Sequence, residues 1–286
     1  MHVIPSSVSL EMTYNCNHAC KFCSCPWLRH SRLYERELSI DEWKRIINNL
    51  ADWGIDSLSF TGGEPLLKTG LQDLITTTAE SRRFKFISLF TNGTLLDDNW
   101  FDLLRRYQIP ITISLPGIFS FKSLTSSPIT SRKVMENVTS ARHLGIEVNV
   151  SIVVTKKNYW EVPLCAYISY RYGASAIQIG PCMPEGRALY HSDLCLSDRQ
   201  FKRLTNTVNK LNYALKIPVF YSFEQACACF DRNGNSIPNG TTDCQAGKTF
   251  FAIGPAGGIR KCLHAPVNMG NILDCDQHTF ENLWKM

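Results

Sequence analysis

From residue 7 to about 190 the chain alternates short apolar strands with helical segments, six times over. That alternation constrains the fold more than any other feature. Strands separated by a helix pair in parallel, because the crossover carries the chain back to the same end of the sheet. SVSLEMT alternates apolar and polar residues and reads as the first strand. SIDEWKRIINNLADWG is read as a helix, with Ser39 and Glu42 spaced as a capping box and Gly54 at the stop. SLSFTGG, KFISLF, PITISLPG, EVNVSIVVT and AIQIG supply five more strands. The helices between them are expected near 69–82 and in DDNWFDLLRRY, SRKVMENVTSARHLG and WEVPLCAYISYRYG. Six units fall short of the eight of a full barrel, so the expectation is an α/β fold, an open or partial (β/α)6 barrel. Ligands of parallel sheets lie at the carboxyl ends of the strands. The cysteine cluster, GGE, TNG, SLPG and GPC all fall at those ends and should converge on one face.

The chain holds twelve cysteines, unevenly placed. Cys16, Cys20, Cys23 and Cys25 lie within CNHACKFCSC, and Cys227, Cys229, Cys244, Cys262 and Cys275 within the last sixty residues. Only Cys165, Cys182 and Cys195 lie between. MHVIPSSVSLEM has no signal-peptide pattern, and no apolar run approaches the ~20 residues of a membrane span. The expected compartment is therefore the cytoplasm, where clustered thiols bind metal rather than form disulfides. Two metal centres are expected on that ground. A net charge of +5 with no long basic block is only weak evidence for nucleic acid and equally suits an anionic cofactor or an acidic peptide.

Three cysteines spaced C-x3-C-x2-C on one loop differ from a structural zinc site, which wants four ligands in separated pairs. Cys25 could be a fourth ligand, but one residue separates it from Cys23, and Pro26 stiffens the chain beyond it. Three thiolates suit a cubane iron–sulfur cluster whose fourth iron stays open. A zinc protein and a two-cluster electron carrier are the alternatives.

The run from Cys16 through Cys20 to Cys23 resembles the signature of the radical SAM superfamily. The resemblance implies a [4Fe–4S] cluster on Cys16, Cys20 and Cys23, whose open iron chelates S-adenosylmethionine. It also implies reductive cleavage of that cofactor to a 5′-deoxyadenosyl radical, which abstracts hydrogen from a substrate. Phe22 matches the aromatic position near the adenine. Gly62, Gly63 and Glu64, with Pro65 after them, resemble the family's GGEP motif, whose backbone contacts the methionyl amino group. Glycine there permits close backbone approach to a ligand. Asn92 lies in a matching TNG. Ser114 lies in SLPG, similar to the family's SLDG and near the ribose or carboxylate, with Pro116 in place of the acidic residue. Asn158 comes after the fifth strand as in a family pattern, and otherwise reads as an exposed loop asparagine. Arg187 and Glu185 are candidates to bind substrate or the cofactor carboxylate. The superfamily's TIM-like partial barrel agrees with the six units.

Cys244, then Gly257, then Cys262 are spaced like the start of a SPASM domain or its shorter twitch form, which bind auxiliary iron–sulfur clusters. FFAIGPAGGIRKC reads as a hairpin with a glycine turn. GNI at 270–272, FENLW at 280–284 and PEGRA at 184–188 also resemble that family. The chain stops shortly after Cys275, so at most one auxiliary [4Fe–4S] cluster is expected, on Cys244, Cys262, Cys275 and one of Cys227 or Cys229, with Cys229 preferred. The domains expected are 7–190, the barrel; 191–217, a linking helix; and 218–286, the cysteine-rich module.

Relatives with this appendage modify ribosomally made peptides by crosslinking, epimerisation or oxidation, and others act on sugars or cyclitols. A peptide is the expected substrate, with a small molecule as the alternative. Only fifteen residues precede Cys16, so a separate N-terminal leader-binding domain is not expected, which counts mildly against a peptide and keeps the small-molecule alternative open. A flavodoxin, ferredoxin or reductase is the implied electron donor. Cys182, after the sixth strand, is a candidate hydrogen donor to a substrate radical. Trp27, Tyr14 and Trp160 read as packing residues.

Overall fold

The computed structural model describes residues 4–26, 36–221 and 245–284. In chain order its elements are β1 (Ser7–Glu11), α1 (Ile40–Asp52), β2 (Ser57–Thr61), α2 (Leu71–Glu80), β3 (Phe86–Thr91), α3 (Asp98–Arg106), β4 (Ile111–Ser114), α4 (Phe121–Thr125), α5 (Ser131–His143), β5 (Val148–Val154), α6 (Val162–Arg171), β6 (Ala176–Pro181), α7 (Asp198–Ala214), β7 (Val219–Tyr221), β8 (Phe250–Ile253), β9 (Gly258–Arg260), β10 (Gly270–Asn271) and α8 (Gln277–Asn282). The chain divides into two compact units. The first is Met1–Cys16, Cys25–Leu89 and Ala228–Met286; the second is Asn17–Ser24 and Phe90–Cys227.

In the first unit, α1 forms because its apolar residues recur at helical spacing. Trp43, Ile46, Ile47 and Leu50 are all buried, each contributing roughly 1.5–3 kcal/mol. The expected capping box is present: Glu42 N–H donates to Ser39 Oγ at 3.2 Å, and Ser39 N–H to Glu42 Oε2 at 2.8 Å. β1 pairs in parallel with β2, Leu10 opposite Phe60. On its other side β1 pairs in parallel with β8, Leu10 opposite Ile253. The region set apart in sequence by its cysteines thus adds a strand to the sheet that begins the chain. β8 and β9 make the expected hairpin, with Ala252 opposite Arg260 and Gly257 at φ +90° in the turn. FENLW packs beneath it: Phe280 lies 5.5 Å from Phe251 and 4.9 Å from Trp53 between ring centroids.

In the second unit β4, β5, β6 and β7 pair in parallel in sequence order. Val148, Val150, Ile152 and Val154 of β5 are buried, alternating with half-buried residues. Of the WEVPLCAYISYRYG segment, Tyr159–Glu161 form a 3₁₀ turn and the α-helix starts only at Val162. Pro163 explains the start, since its fixed φ and missing N–H suit a first helical turn. The linking helix expected within 191–217 is α7, capped by Ser197. β7, three residues long, carries too short a pattern to be read from sequence. Among the described residues no helix is long and apolar enough to cross a membrane.

Candidate active site

β1 leads toward Cys16, and its exit is fixed within the first unit. Met12 N–H donates to Thr61 O, Gly63 N–H to Thr13 O and Glu64 N–H to Asn15 O, each at 2.8 Å. The GGE turn therefore lies directly against residues 12–15. A Cβ on Gly63 would stand 2.2 Å from the Asn15 carbonyl oxygen, and one on Gly62, at φ +147°, 2.9 Å from that of Thr13. These glycines are required by the protein's own backbone, whereas the sequence suggested approach to a ligand. Glu64 is fully buried, and Oε1 accepts from Leu66 N–H at 3.2 Å.

Glu37 holds the same exit from outside the motifs. Its Oε1 accepts from Thr13 Oγ1 at 2.7 Å and Tyr14 N–H at 2.8 Å, and its Oε2 from Lys68 Nζ at 2.9 Å. Burial pushes the Glu37 carboxyl up, but the bonds from Thr13, Lys68 and the Tyr14 N–H outweigh it and leave it below the usual carboxylate range.

Residues Asn17–Ser24 belong to the second unit and carry Cys20 and Cys23. Ala19 N–H donates to Thr125 O at 2.9 Å and Lys21 N–H to Leu124 O at 2.8 Å, which moors the loop to the end of α4. Cys23 N–H closes a turn on Cys20 O at 3.2 Å. Arg187 Nη1 donates to Cys20 O at 3.0 Å, and Ala188 N–H to Cys23 O at 3.2 Å. Asn92 Nδ2 donates to Asn17 Oδ1 at 2.7 Å, and Asn17 Nδ2 to Thr94 Oγ1 at 3.0 Å. The structure thus brings Asn92 and Arg187, separated by almost a hundred residues, onto one thiol-bearing loop.

Phe22 is buried in an apolar cluster with Leu124, Cys182, Ala188 and Leu194, against which Cys20 and Cys195 pack. Cys182 is 4% exposed, so its thiol is part of this cluster. The Cys195 side chain beside it, then burial, hold the Cys182 thiol far above its ordinary value, while the hydrogen bond with Cys182 holds Cys195 below its own. Cys195, thirteen residues away, gave no sequence signal of this pairing.

Ser114 is half-buried at the carboxyl end of β4. Asn158 is 1% exposed, which corrects the reading as an exposed loop residue. Its Oδ1 accepts from Thr155 N–H at 2.6 Å, and its Nδ2 donates to Val153 O at 2.7 Å and to Pro116 O. Asparagine here stitches the loop after β4 to the loop after β5.

In the first unit, Cys262 is buried just past β9 and Cys275 is half-buried. Cys275 Sγ lies 3.3 Å from Asn271 O, and burial with Asp274 and Asp276 pushes its thiol up. Arg260 of β9 is 3% exposed and pairs with buried Glu11 of β1. Its Nη1 also donates to Leu263 O and Ala265 O at 3.2 Å each, so it shapes the turn that carries Cys262. Burial brings its guanidinium down to about 10. Neither Glu11 nor Arg260 stood out in sequence. Cys227, Cys229, Cys244 and Trp27 lie outside the described residues.

Among the described residues no three His, Cys, Asp or Glu side chains form a group that could hold a metal ion. The donor chemistry of the first loop nevertheless fits an iron–sulfur cluster. Three thiols within eight residues are reachable, with Cys16 exposed and Cys20 and Cys23 half-buried, and the backbone bearing the latter two is fixed independently of any metal.

Residues 10–164 match the family model of the Radical SAM superfamily, and the chain belongs to that superfamily. Its members bind S-adenosylmethionine and a [4Fe–4S] cluster. The AdoMet-dependent heme synthase of Nitratidesulfovibrio vulgaris is 25% identical over 97% of this chain and 78% of that protein. The PqqA peptide cyclase of Granulibacter bethesdensis is 24% identical over 74% of this chain but only 57% of its own length. The structure of Streptococcus suis SuiB bound to precursor peptide SuiA superposes on 98% of this chain and 64% of its own, with a TM-score of 0.73 at 17% identity. The mixed α/β fold with parallel strands is therefore the fold of radical SAM enzymes, consistent with the partial barrel expected from the six strand–helix units.

Proposed function

We propose that this chain is a radical S-adenosylmethionine enzyme whose substrate is a ribosomally made peptide, left crosslinked, epimerised or oxidised. The observation that carries the radical chemistry is the Asn17–Ser24 loop, held by Arg187, Asn92 and the α4 carbonyls with its thiols accessible. Cys16, Cys20 and Cys23 would hold the [4Fe–4S] cluster. When bound, that cluster supplies the electron that splits S-adenosylmethionine into methionine and a 5′-deoxyadenosyl radical. The backbone of Gly62 and Gly63, with Glu64, would meet the methionyl amino group, and Ser114 and Asn92 would line the cofactor's polar side. Phe22 would back the adenine. Arg187 orients the Cys20 carbonyl through one nitrogen and would offer the rest of its guanidinium to a carboxylate.

Cys262 and Cys275 with Cys244 and Cys229 would hold one auxiliary [4Fe–4S] cluster, and a flavodoxin, ferredoxin or reductase of the cytoplasm would supply electrons. Cys182 is the candidate hydrogen donor. Unchanged product from Cys182→Ala would remove it from the mechanism.

Support for a peptide comes from the resemblance to a peptide cyclase and to SuiB, a protein solved with its precursor peptide. A small-molecule substrate is the second reading, favoured by the heme synthase that aligns over 97% of the chain. Anaerobic incubation of the reconstituted enzyme with a small peptide encoded beside it separates the two. A mass shift on the peptide supports the first reading. An unmodified peptide, with deoxyadenosine formed in the presence of a small-molecule pool, supports the second.

A further inference from the structure

Phe119 and Trp160 are the two large apolar side chains that the loops after β4 and β5 present to solvent. They are 68% and 62% exposed, although Trp160 read as a packing residue from sequence. Their rings stack on one another, with centroids 5.9 Å apart and planes 9° from parallel. β4 and β5 are parallel neighbours, so both loops leave the same end of the sheet.

The pair is built rather than incidental. Glu161 is fully buried, and its carboxylate accepts three successive backbone N–H groups, from Ile118 and Phe119 at 2.9 Å and Ser120 at 3.1 Å. That clamp fixes the backbone of Phe119. Trp160 lies one residue before Glu161, and its Nε1 donates to Lys157 O at 3.0 Å. Asn158 ties the same two loops through Pro116 O. A buried carboxylate and a buried amide thus hold two aromatic rings out in water, where rings of this size lose the stabilisation of burial.

The apolar surface continues at helical spacing. Leu164 and Tyr167 come four and seven residues after Trp160 and are 37% and 50% exposed. The exposed charges on the two loop segments and on α6 are basic. Segments 115–131 and 155–172 hold Lys122, Lys156, Lys157 and Arg171, all exposed, and their only acidic residue is the buried Glu161; Arg132, just beyond, is paired with Glu136.

We infer that this stripe is a docking surface for an acidic peptide segment bearing aromatic or aliphatic side chains. The rings and Leu164 meet the apolar side chains, and the lysines meet the carboxylates. An aliphatic position spaced along a helix suits a peptide better than stacked bases, which would use the rings alone. The inference rests on the peptide reading above and names the chemistry of the segment that binds outside the reaction centre.

The test uses the reconstituted full chain and fluorescein-labelled synthetic peptides, read by anisotropy at moderate salt. One peptide alternates glutamates with phenylalanines, a second has alanine for each phenylalanine, and a third has lysine for each glutamate. The first should bind, and the other two should bind at least roughly tenfold more weakly. The Phe119→Ala/Trp160→Ala variant and the Lys156→Glu/Lys157→Glu variant should each weaken the first peptide by roughly tenfold. Phe119→Tyr/Trp160→Phe should bind like the wild type, and unchanged melting temperatures show that the variants fold. No binding by the wild type, equal binding of all three peptides, variants indistinguishable from wild type, or displacement by single-stranded RNA at equal concentration would each overturn the inference. Binding as expected with no peptide ever modified would leave the docking surface standing and overturn the peptide-maturation reading alone.

Discussion

The loop Asn17–Ser24 and the turn after β9 both carry thiols, yet they are held by different physics. The first is moored without an ion pair: by carbonyls of Leu124 and Thr125, the amides of Asn17 and Asn92, and one guanidinium that meets a carbonyl rather than a carboxylate. The second hangs on a buried charge, Arg260, balanced by Glu11 from the start of the chain. The neutral bonds of this kind are worth about 1 kcal/mol each and the guanidinium bond about 1.5–3 kcal/mol, and each can be lost singly. A buried ion pair gains little over an apolar pair of the same volume, but losing one partner is severe. The first region should therefore yield gradually to substitution, and the second should fail at one position.

Glu11→Leu is the sharpest way to break that contrast. It should cost about 3–5 kcal/mol in chemical denaturation, because Arg260 stays buried without its carboxylate. The double variant Glu11→Leu/Arg260→Met should recover most of the loss. A loss below about 1 kcal/mol in the single variant would show that the charge is not what holds the second region.

Arg187→Met should have a smaller effect, about 1.5–3 kcal/mol, from one lost charge-assisted bond to Cys20 O. It should also lower the iron retained after reconstitution, since the loop bearing Cys20 loosens. Full iron content in a destabilised Arg187→Met protein would separate the fold from cluster binding. Ser39→Ala should cost about 1 kcal/mol through its lost helix cap and leave iron content unchanged.

Acid tests the exit of β1. The Glu37 carboxyl lies lower in the folded chain than its ordinary 4.5, so the unfolded chain takes up its proton first as pH falls. The stabilisation from Glu37 is complete above that ordinary value and is lost as pH drops through the depressed one. Between about pH 5 and pH 3 the melting temperature of the wild type should fall further than that of Glu37→Gln. Parallel curves would remove Glu37 from the account.

Much of this was legible in the sequence because its cause is local. The spacing of Trp43, Ile46, Ile47 and Leu50 and the Ser39–Glu42 box lie within thirteen residues, and both appear as read. The six strands and the β8–β9 hairpin were equally local. What could not be read depends on distant partners. Glu11 and Arg260 are 249 residues apart, and the strand patterns they sit in do not mark them as partners. Glu161 looks like an ordinary residue at a helix start until the N–H groups of 118–120 arrive at it. Asn158 reads as a surface residue for the same reason, since its partner Pro116 lies in another loop. Gly62 and Gly63 were noticed for their motif, but their crowding by Asn15 and Thr13 needed the sheet register to appear.

The central claim is that Cys16, Cys20 and Cys23 support reductive cleavage of S-adenosylmethionine. The direct measurement is anaerobic: reconstitute the chain with iron and sulfide, add S-adenosylmethionine and dithionite, and quantify 5′-deoxyadenosine beside the Cys16→Ala/Cys20→Ala/Cys23→Ala variant. The account predicts deoxyadenosine from the wild type and none from the variant. Equal amounts from both, or none from a wild type loaded with iron and sulfide and supplied with substrate, would contradict it.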